Sequence, residues 1–444
     1  MKTTLLNSIW AVSLLAAVAM PVRLTAQEQS GAQAQKPKPA RYTVTDLGTL
    51  EGGTFSQPFF VNKYGLVSGS ASLPDGTQHA VLWLEGLMGD IGAPGLGGPN
   101  SIAFGDNEKF QSAGEAETST PDPKGEDFCG FGTHLTCLPF LWQDGGMIQL
   151  PTLGGNNGVA TAINNRGEVS GFAENSQPDP RCPAPQVLEF EPVVWEKGVI
   201  HELPTVGGDP DGITYLINDS GEVVGGSGTC ATFNPNVLNN LLPVHALLWE
   251  KGKAINLGNL GGQTGQAGGN IAFGINNQDQ VVGNSDLPGD TTFHAFLWTK
   301  RTGMQDLGTL SGDVASLSIS INDVGTVVGA SLDASFNLRA FRWEKGVMTD
   351  LNTVIAGDSP LYLLTGCSIN SHGEITGLGL TSAGEIHTYL ATPRHRDADS
   401  ESAAPTGQAG SSESARVTLP ENVRELLQQR RGFGRSGARL MGAH

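Results

Sequence analysis

Three groups of residues in this 444-residue chain have types and spacings that could do chemistry. The first is Cys129, His134 and Cys137, soft ligands close enough together to begin a zinc site. No second cluster completes a tetrahedral set, so the two cysteines read instead as ends of a short disulfide loop. Cys182 and Cys230 offer a second bridge, between two later stretches of chain. Four cysteines allow three pairings, and spacing alone leaves them open. The remaining Cys367 reads as a small buried apolar residue. The second group is His79, His245, His294 and His387, each opening a string such as "HAVLW" or "HAFLW". Leu138, Glu191 and Arg339 fill the same place in related strings, so the recurring histidine reads as structural, a hydrogen bond to a neighbouring turn. The third is a pair of acidic turns, "LPDG" and "LPGD", whose oxygens suit Ca²⁺ but lack the dense Asp spacing of a dedicated loop. Neither GxSxG, HExxH nor a phosphate-binding glycine loop is present. No catalytic residue, metal or cofactor is expected.

The recurring strings belong to a repeat. An Asn followed seven residues later by Gly occurs at Asn62/Gly69, Asn107/Gly114, Asn164/Gly171, Asn218/Gly225, Asn276/Gly283, Asn322/Gly329 and Asn370/Gly377. A string ending in Trp follows each of the first six, and Ala391 takes the Trp place in the seventh. A polar-Leu or polar-Ile pair follows each Trp, as in Asp306-Leu307. Each unit reads as four short strands, a to d, joined by Asn- and Gly-bearing turns that tolerate positive φ. Val, Ile, Phe and Trp fill the strands, as half-buried pleated surfaces prefer.

Units of this size with four antiparallel strands predict an all-β, seven-bladed β-propeller. The seventh unit has strands a, b and c but no d. The chain begins its first unit with a lone d-type strand, "YTVTDLGTL". Pairing that strand beside "HTYLAT" would close the ring and cover both edges. A solenoid is the alternative, but it would need caps rather than complementary missing and extra strands.

The strings "HAFLW", "GINN…VVG" and "DLGTL" resemble the HAF-repeat proteins, a family of extracellular bacterial repeats. The resemblance covers 41–394. It implies secretion and a repeat architecture, and no activity or catalytic residue. The second unit departs most, with Phe110 where a turn Gly is expected.

Residues 1–26 read as a secretory signal: Lys2, an apolar run from Leu5 to Met20, then small residues before Gln27. That run is short for a membrane span, and no span is expected after cleavage. Residues 27–40 and 395–415 read as linkers, and 416–444 as a tail with a short amphipathic helix. The formal net charge is −18, with both ends basic, so the propeller is strongly acidic and nucleic acid is excluded as its main partner.

The links between strands b and c lengthen in units two, three and four, on one face of the predicted ring. Function concentrates on loops held by a rigid scaffold. The expected function is therefore a secreted monomeric scaffold that binds an extracellular or periplasmic protein or glycan through these inserts. The candidate contacts are Asp122, Asp127, Phe131, His134, Arg181 and Phe233. Alternatives are an envelope hydrolase or lyase working in the central channel, and a structural assembly module. Strand a reads as apolar and small, which weakens the enzyme alternative.

Overall fold

The computed structural model describes residues 41–230, 243–262, 264, 267–394, 417–421 and 423–424. The expected signal, both linkers and most of the tail lie outside the described residues. Seven antiparallel sheets follow one another along the chain. The chain is a seven-bladed β-propeller. Blade five shows the pattern: strand a is Ile271–Ile275, b is Val281–Asp286, c is Phe293–Thr299 and d is Gly303–Asp306, paired in that order. Strands a from all blades face the axis. The a–b and c–d turns share one face, the turn face, and the b–c links lie on the opposite, insert face.

The last blade closes as the repeat pattern predicts. Tyr42–Asp46 pairs antiparallel with Ile386–Pro393, with Tyr42 opposite Pro393 and Asp46 opposite Tyr389. The recurring histidine secures this seam: His387 Nδ1 lies 2.9 Å from an Asp46 carboxylate oxygen. His79 meets Asp90 at 2.8 Å and His294 meets Asp306 at 2.9 Å in the same way, from strand c to strand d of one blade. Blade seven departs from the pattern in its strand a. That strand is reduced to two short pieces, Tyr362–Leu363 and Ser368–Ile369, with Cys367 just before the second.

The repeated asparagine joins one blade to the next. Asn62 Nδ2 donates to the backbone carbonyl of Asn107, Asn107 to Asn164, Asn164 to Asn218, and Asn218 to Asn276. Asn276 donates to Asn322, Asn322 to Asn370, and Asn370 back to Asn62. The seven bonds, 2.9–3.1 Å long, form a closed circle around the axis. All seven residues are buried. Each Oδ1 also holds its own a–b turn. In blade five, Asn276 Oδ1 accepts from the N–H groups of Gln278 and Gln280, both at 3.0 Å. Asn suits both tasks because its amide carries donor and acceptor on one short side chain.

The repeated glycine answers a different demand. Strand a of blades one to six carries a β-bulge at the residue three before the asparagine: Phe59, Phe104, Thr161, Tyr215, Phe273 and Ile319. The kink presses a strand-a carbonyl onto strand b. A Cβ on Gly283 would sit 1.8 Å from the Ile271 carbonyl oxygen and 2.9 Å from the Phe296 ring. Gly171 meets the same obstacle, 2.0 Å from Val159 O and 2.6 Å from the Trp195 ring. The glycine of the repeat is there for space at the bulge.

Buried tryptophans add further ties between blades. The indole N–H groups of Trp83, Trp195 and Trp249 donate to the carbonyls of Leu47, Pro151 and Pro204, just past strand d of the preceding blade. At the turn where blade two lacks glycine, Phe110 adopts φ 60° and stacks on Tyr64 of blade one, with ring centroids 5.9 Å apart.

Two substitutions test these roles by urea unfolding. Asn276→Ala removes one link of the circle and uncaps its turn, leaving buried backbone groups unpaired, and should cost about 2–4 kcal/mol. Gly283→Ala should cost at least as much, roughly 3 kcal/mol or more, because both obstacles are held by the blade. An exposed control, Val324→Ala, should stay within about 0.5 kcal/mol.

Candidate functional site

In blades two and three the inserts begin as extensions of strands b and c. Blade two runs Ser112–Pro121 and Leu135–Gln143, and blade three Val169–Pro178 and Leu188–Glu196, against Val67–Ser72 and Gln78–Leu84 in blade one. The hairpins therefore rise out of the insert face as continued sheet. Two disulfides fasten them. Cys129–Cys137 closes the blade-two loop, and Cys182–Cys230 ties the blade-three insert to blade four.

Beneath the loops sits an apolar knot. Phe128, Phe172 and Phe190 pack with ring centroids 5.7–6.1 Å apart. The two bridges join this cluster, and Phe131, Phe104 and Tyr215 pack against it half-buried. The inserts thus share one core with the upper part of the axial channel. The carboxylate of Glu115 lies close to Cys129 and Cys137, but the sulfurs are spent in their bridge and are not metal ligands.

Most acidic residues of the inserts point inward, while Asp127, Glu189 and Glu191 stay half-buried. Glu126 and Glu174 are fully buried and close enough for each charge to act on the other. The N–H groups of Val187 and Leu188 donate to Glu126 Oε1 at 2.7 and 2.9 Å, which links insert two to insert three. Glu174 accepts from Gln186 Nε2 at 2.8 Å and from the Asn157 backbone and side chain at 3.0 Å. Burial, and then the neighbouring Glu126, push the Glu174 carboxyl up to about 8. Burial likewise raises Glu191 to about 8 and Asp211 to about 7.

The candidate contacts fall into two sets. Asp122 is buried, holding its turn through the Lys124 and Glu126 N–H groups and accepting from Asn157 Nδ2. Both Asp127 oxygens accept from the Gly132 N–H, at 3.0 Å, and Phe131 packs inward. His134 and Arg181 are exposed. His134 Nδ1 rests on the Gly125 carbonyl, and Arg181 Nε donates to Asp179 at 2.8 Å. Lys124, which the sequence did not single out, is also exposed. Phe233 lies outside the described residues. Buried acids beneath exposed bases could not be read from composition, because charged side chains are ordinarily solvent-facing.

The axial channel has two parts. On the turn face a polar mouth of about 170 Å³ is lined by the asparagine circle and by the residue after each asparagine, among them Lys63, Glu108, Asp219 and Asp323. Deeper lies an apolar cavity of about 140 Å³, lined by the bulged residues. The strand-a side chains facing it are apolar, as expected, but they are large: Phe59, Phe104, Tyr215 and Phe273. Cys367 completes this wall, and burial pushes its thiol up to about 11, which leaves it a poor nucleophile.

No family model and no curated protein sequence matches the chain. Among solved structures it is similar to Pyrococcus horikoshii acylaminoacyl peptidase, at 9% identity and TM-score 0.42 over 77% of this chain and 52% of that one. The chain therefore spans about half the length of the peptidase. It is also similar to an ulvan lyase, at 10% identity and TM-score 0.38 over 79% of this chain and 94% of that one. A third likeness is to a mutant of Aleuria aurantia lectin in complex with alpha-methyl-L-fucoside, at 9% identity and TM-score 0.31, over 81% and 99% of the two chains. At these identities the likenesses concern architecture and transfer no activity.

The buried carboxyls set a pH dependence. Their folded pKa values lie above the unfolded ones, so the native state holds protons that the unfolded chain has released. The associated stability is fully present below about pH 4 and is lost as pH rises to about 8. The urea midpoint should therefore fall between pH 4.5 and pH 8.5. Glu174→Gln, which keeps an acceptor for the three donors at Oε2, gives up the bond from Gln186 and has no titrating proton, should shrink that fall. An equal fall in the variant would show that the pair does not titrate as described.

Proposed function

We propose that this protein is a secreted, non-catalytic binding module that holds an acid-bearing glycan against the inserts of blades two to four. The observation that carries this reading is the inverted charge of the insert platform. Most of its acids are turned into the core, while Lys124, Arg181 and His134 stand exposed in an otherwise acidic protein. The tips between them are Ser-, Thr-, Gly- and Pro-rich, as in Ser119–Pro121 and Ser176–Pro178. Such a surface offers hydrogen bonds and positive charge to carboxylate or sulfate groups. A protein partner is less well served, since stable protein interfaces centre on large apolar anchors. Among the described residues, the exposed large apolar side chains lie elsewhere, at positions such as Leu87, Val199 and Val347.

The two disulfides suit an oxidising compartment. The repeat strings keep the HAF-like, extracellular reading in place as part of this proposal. An enzyme in the deeper part of the channel is disfavoured by the wall itself: phenylalanines, Tyr215, Thr161, Ile319 and an inert thiol supply no general base.

The test is binding of the secreted chain to uronate-bearing, sulfated and neutral polysaccharides at two salt concentrations. Acidic polymers should bind, more weakly at high salt. The double variant Lys124→Glu, Arg181→Glu should lose affinity by about tenfold or more. Equal binding of neutral polymers, unchanged binding by the variant, or binding confined to proteins would each overturn the reading.

A further inference from the structure

We propose that the axial cavity is a second, independent binding site, a slot for one small planar apolar ring of about the size of benzene or toluene. The placement of the bulged residues carries this. Around the ring they run Phe59, Phe104, Thr161, Tyr215, Phe273, Ile319, with Cys367 in the seventh place. The aromatics come as two edge-to-face pairs. Phe59 and Phe104 have centroids 4.6 Å apart, and Tyr215 and Phe273 have centroids 4.7 Å apart. Blade three separates the pairs on one side, and blades six and seven separate them on the other. Between the pairs lie only Thr161 on one flank and Ile319 and Cys367 on the other. The result is a gap with aromatic walls on two opposed sides and smaller residues at its ends.

A packed interior seldom keeps so much apolar space. Native cores fill to crystal-like density, with few voids larger than a water molecule. Here the wall residues remain half-exposed to the cavity while the strands behind them are fully packed. The cavity also has a way in. Phe60, Leu216 and Ser320 line both it and the polar mouth on the turn face, so the two spaces adjoin along the axis. That route is on the opposite face from the inserts, which makes occupancy of the slot separable from glycan binding. The chemistry of the wall selects the ligand. An apolar cavity of about 150 Å³ is known to stay dry and take up benzene, and this one is about 140 Å³. Aromatic walls prefer a ring at offset or edge-on geometry. A hexose would bury hydroxyls against phenylalanine edges without partners, which costs more than the stacking returns.

Thr161→Phe is the variant to make. Three blades already carry Phe at this bulge, so the backbone accepts it, and the new ring would fill the gap between the two pairs. Ile319→Phe closes the slot from the other flank and serves if the first variant does not fold. The full chain is melted with and without toluene, with glucose as the control, and toluene contact is read by saturation-transfer NMR. At ten times its Kd, toluene should raise the wild-type Tm by about 2 °C. Either folded variant, with a ligand-free Tm near that of wild type, should lose both the shift and the NMR signal. Absence of a toluene effect in the wild type, an undiminished effect in a folded variant, or an equal effect from glucose would overturn the proposal.

Discussion

Seven side-chain amides, each donating to the backbone of the next blade, hold the centre of this molecule. A propeller packs its narrowest elements around an axis where neighbouring inner strands diverge and cannot pair as a sheet. Their polar backbone groups still need partners once buried. The asparagine circle meets that need with one residue per blade. It ties each a–b turn both to itself and to its neighbour, so no blade can shift its height along the axis without breaking bonds on both sides.

The register set by that circle determines what lines the channel. With the asparagine fixed at the mouth, the bulge three residues earlier falls at one common depth in six blades. The extra residue turns its side chain to the axis, and the glycine on strand b yields the room that the kink requires. The three recurrent features, asparagine, bulged residue and glycine, are thus one mechanical unit. Only the bulged position is free to vary, and there the blades differ most, from Thr161 to Phe273.

Much of this was legible from residues alone. The Asn–Gly spacing, the tryptophan strings and the orphan first strand together specified blade number and closure, because each reflects local turn or strand chemistry. The hydrogen-bond circle was not legible, since its partners lie 45 to 58 residues apart, or 308 for the closing bond. The bulge leaves no mark in apolar strings such as "FFVN" and "IAFGIN", where a shifted register looks like simple continuity. Insert length marked the face from which the hairpins of blades two and three rise. It could not show that Asp122 turns inward while Lys124 and Arg181 stay exposed, because loop packing depends on contacts between blades.

The seam between Tyr42–Asp46 and Ile386–Pro393 has a consequence for how the protein is made. Asp46 and its histidine partner are 341 residues apart, so the strand Tyr42–Asp46, made early in synthesis, has no mate until the seventh blade exists. Chain entropy makes such a distant contact slow to form. The early strand must therefore wait, its backbone unpaired, while six complete blades accumulate behind it. Maturation then becomes a single late event that seals both ends at once. Any stalled or shortened product keeps two open sheet edges, each a template for another copy.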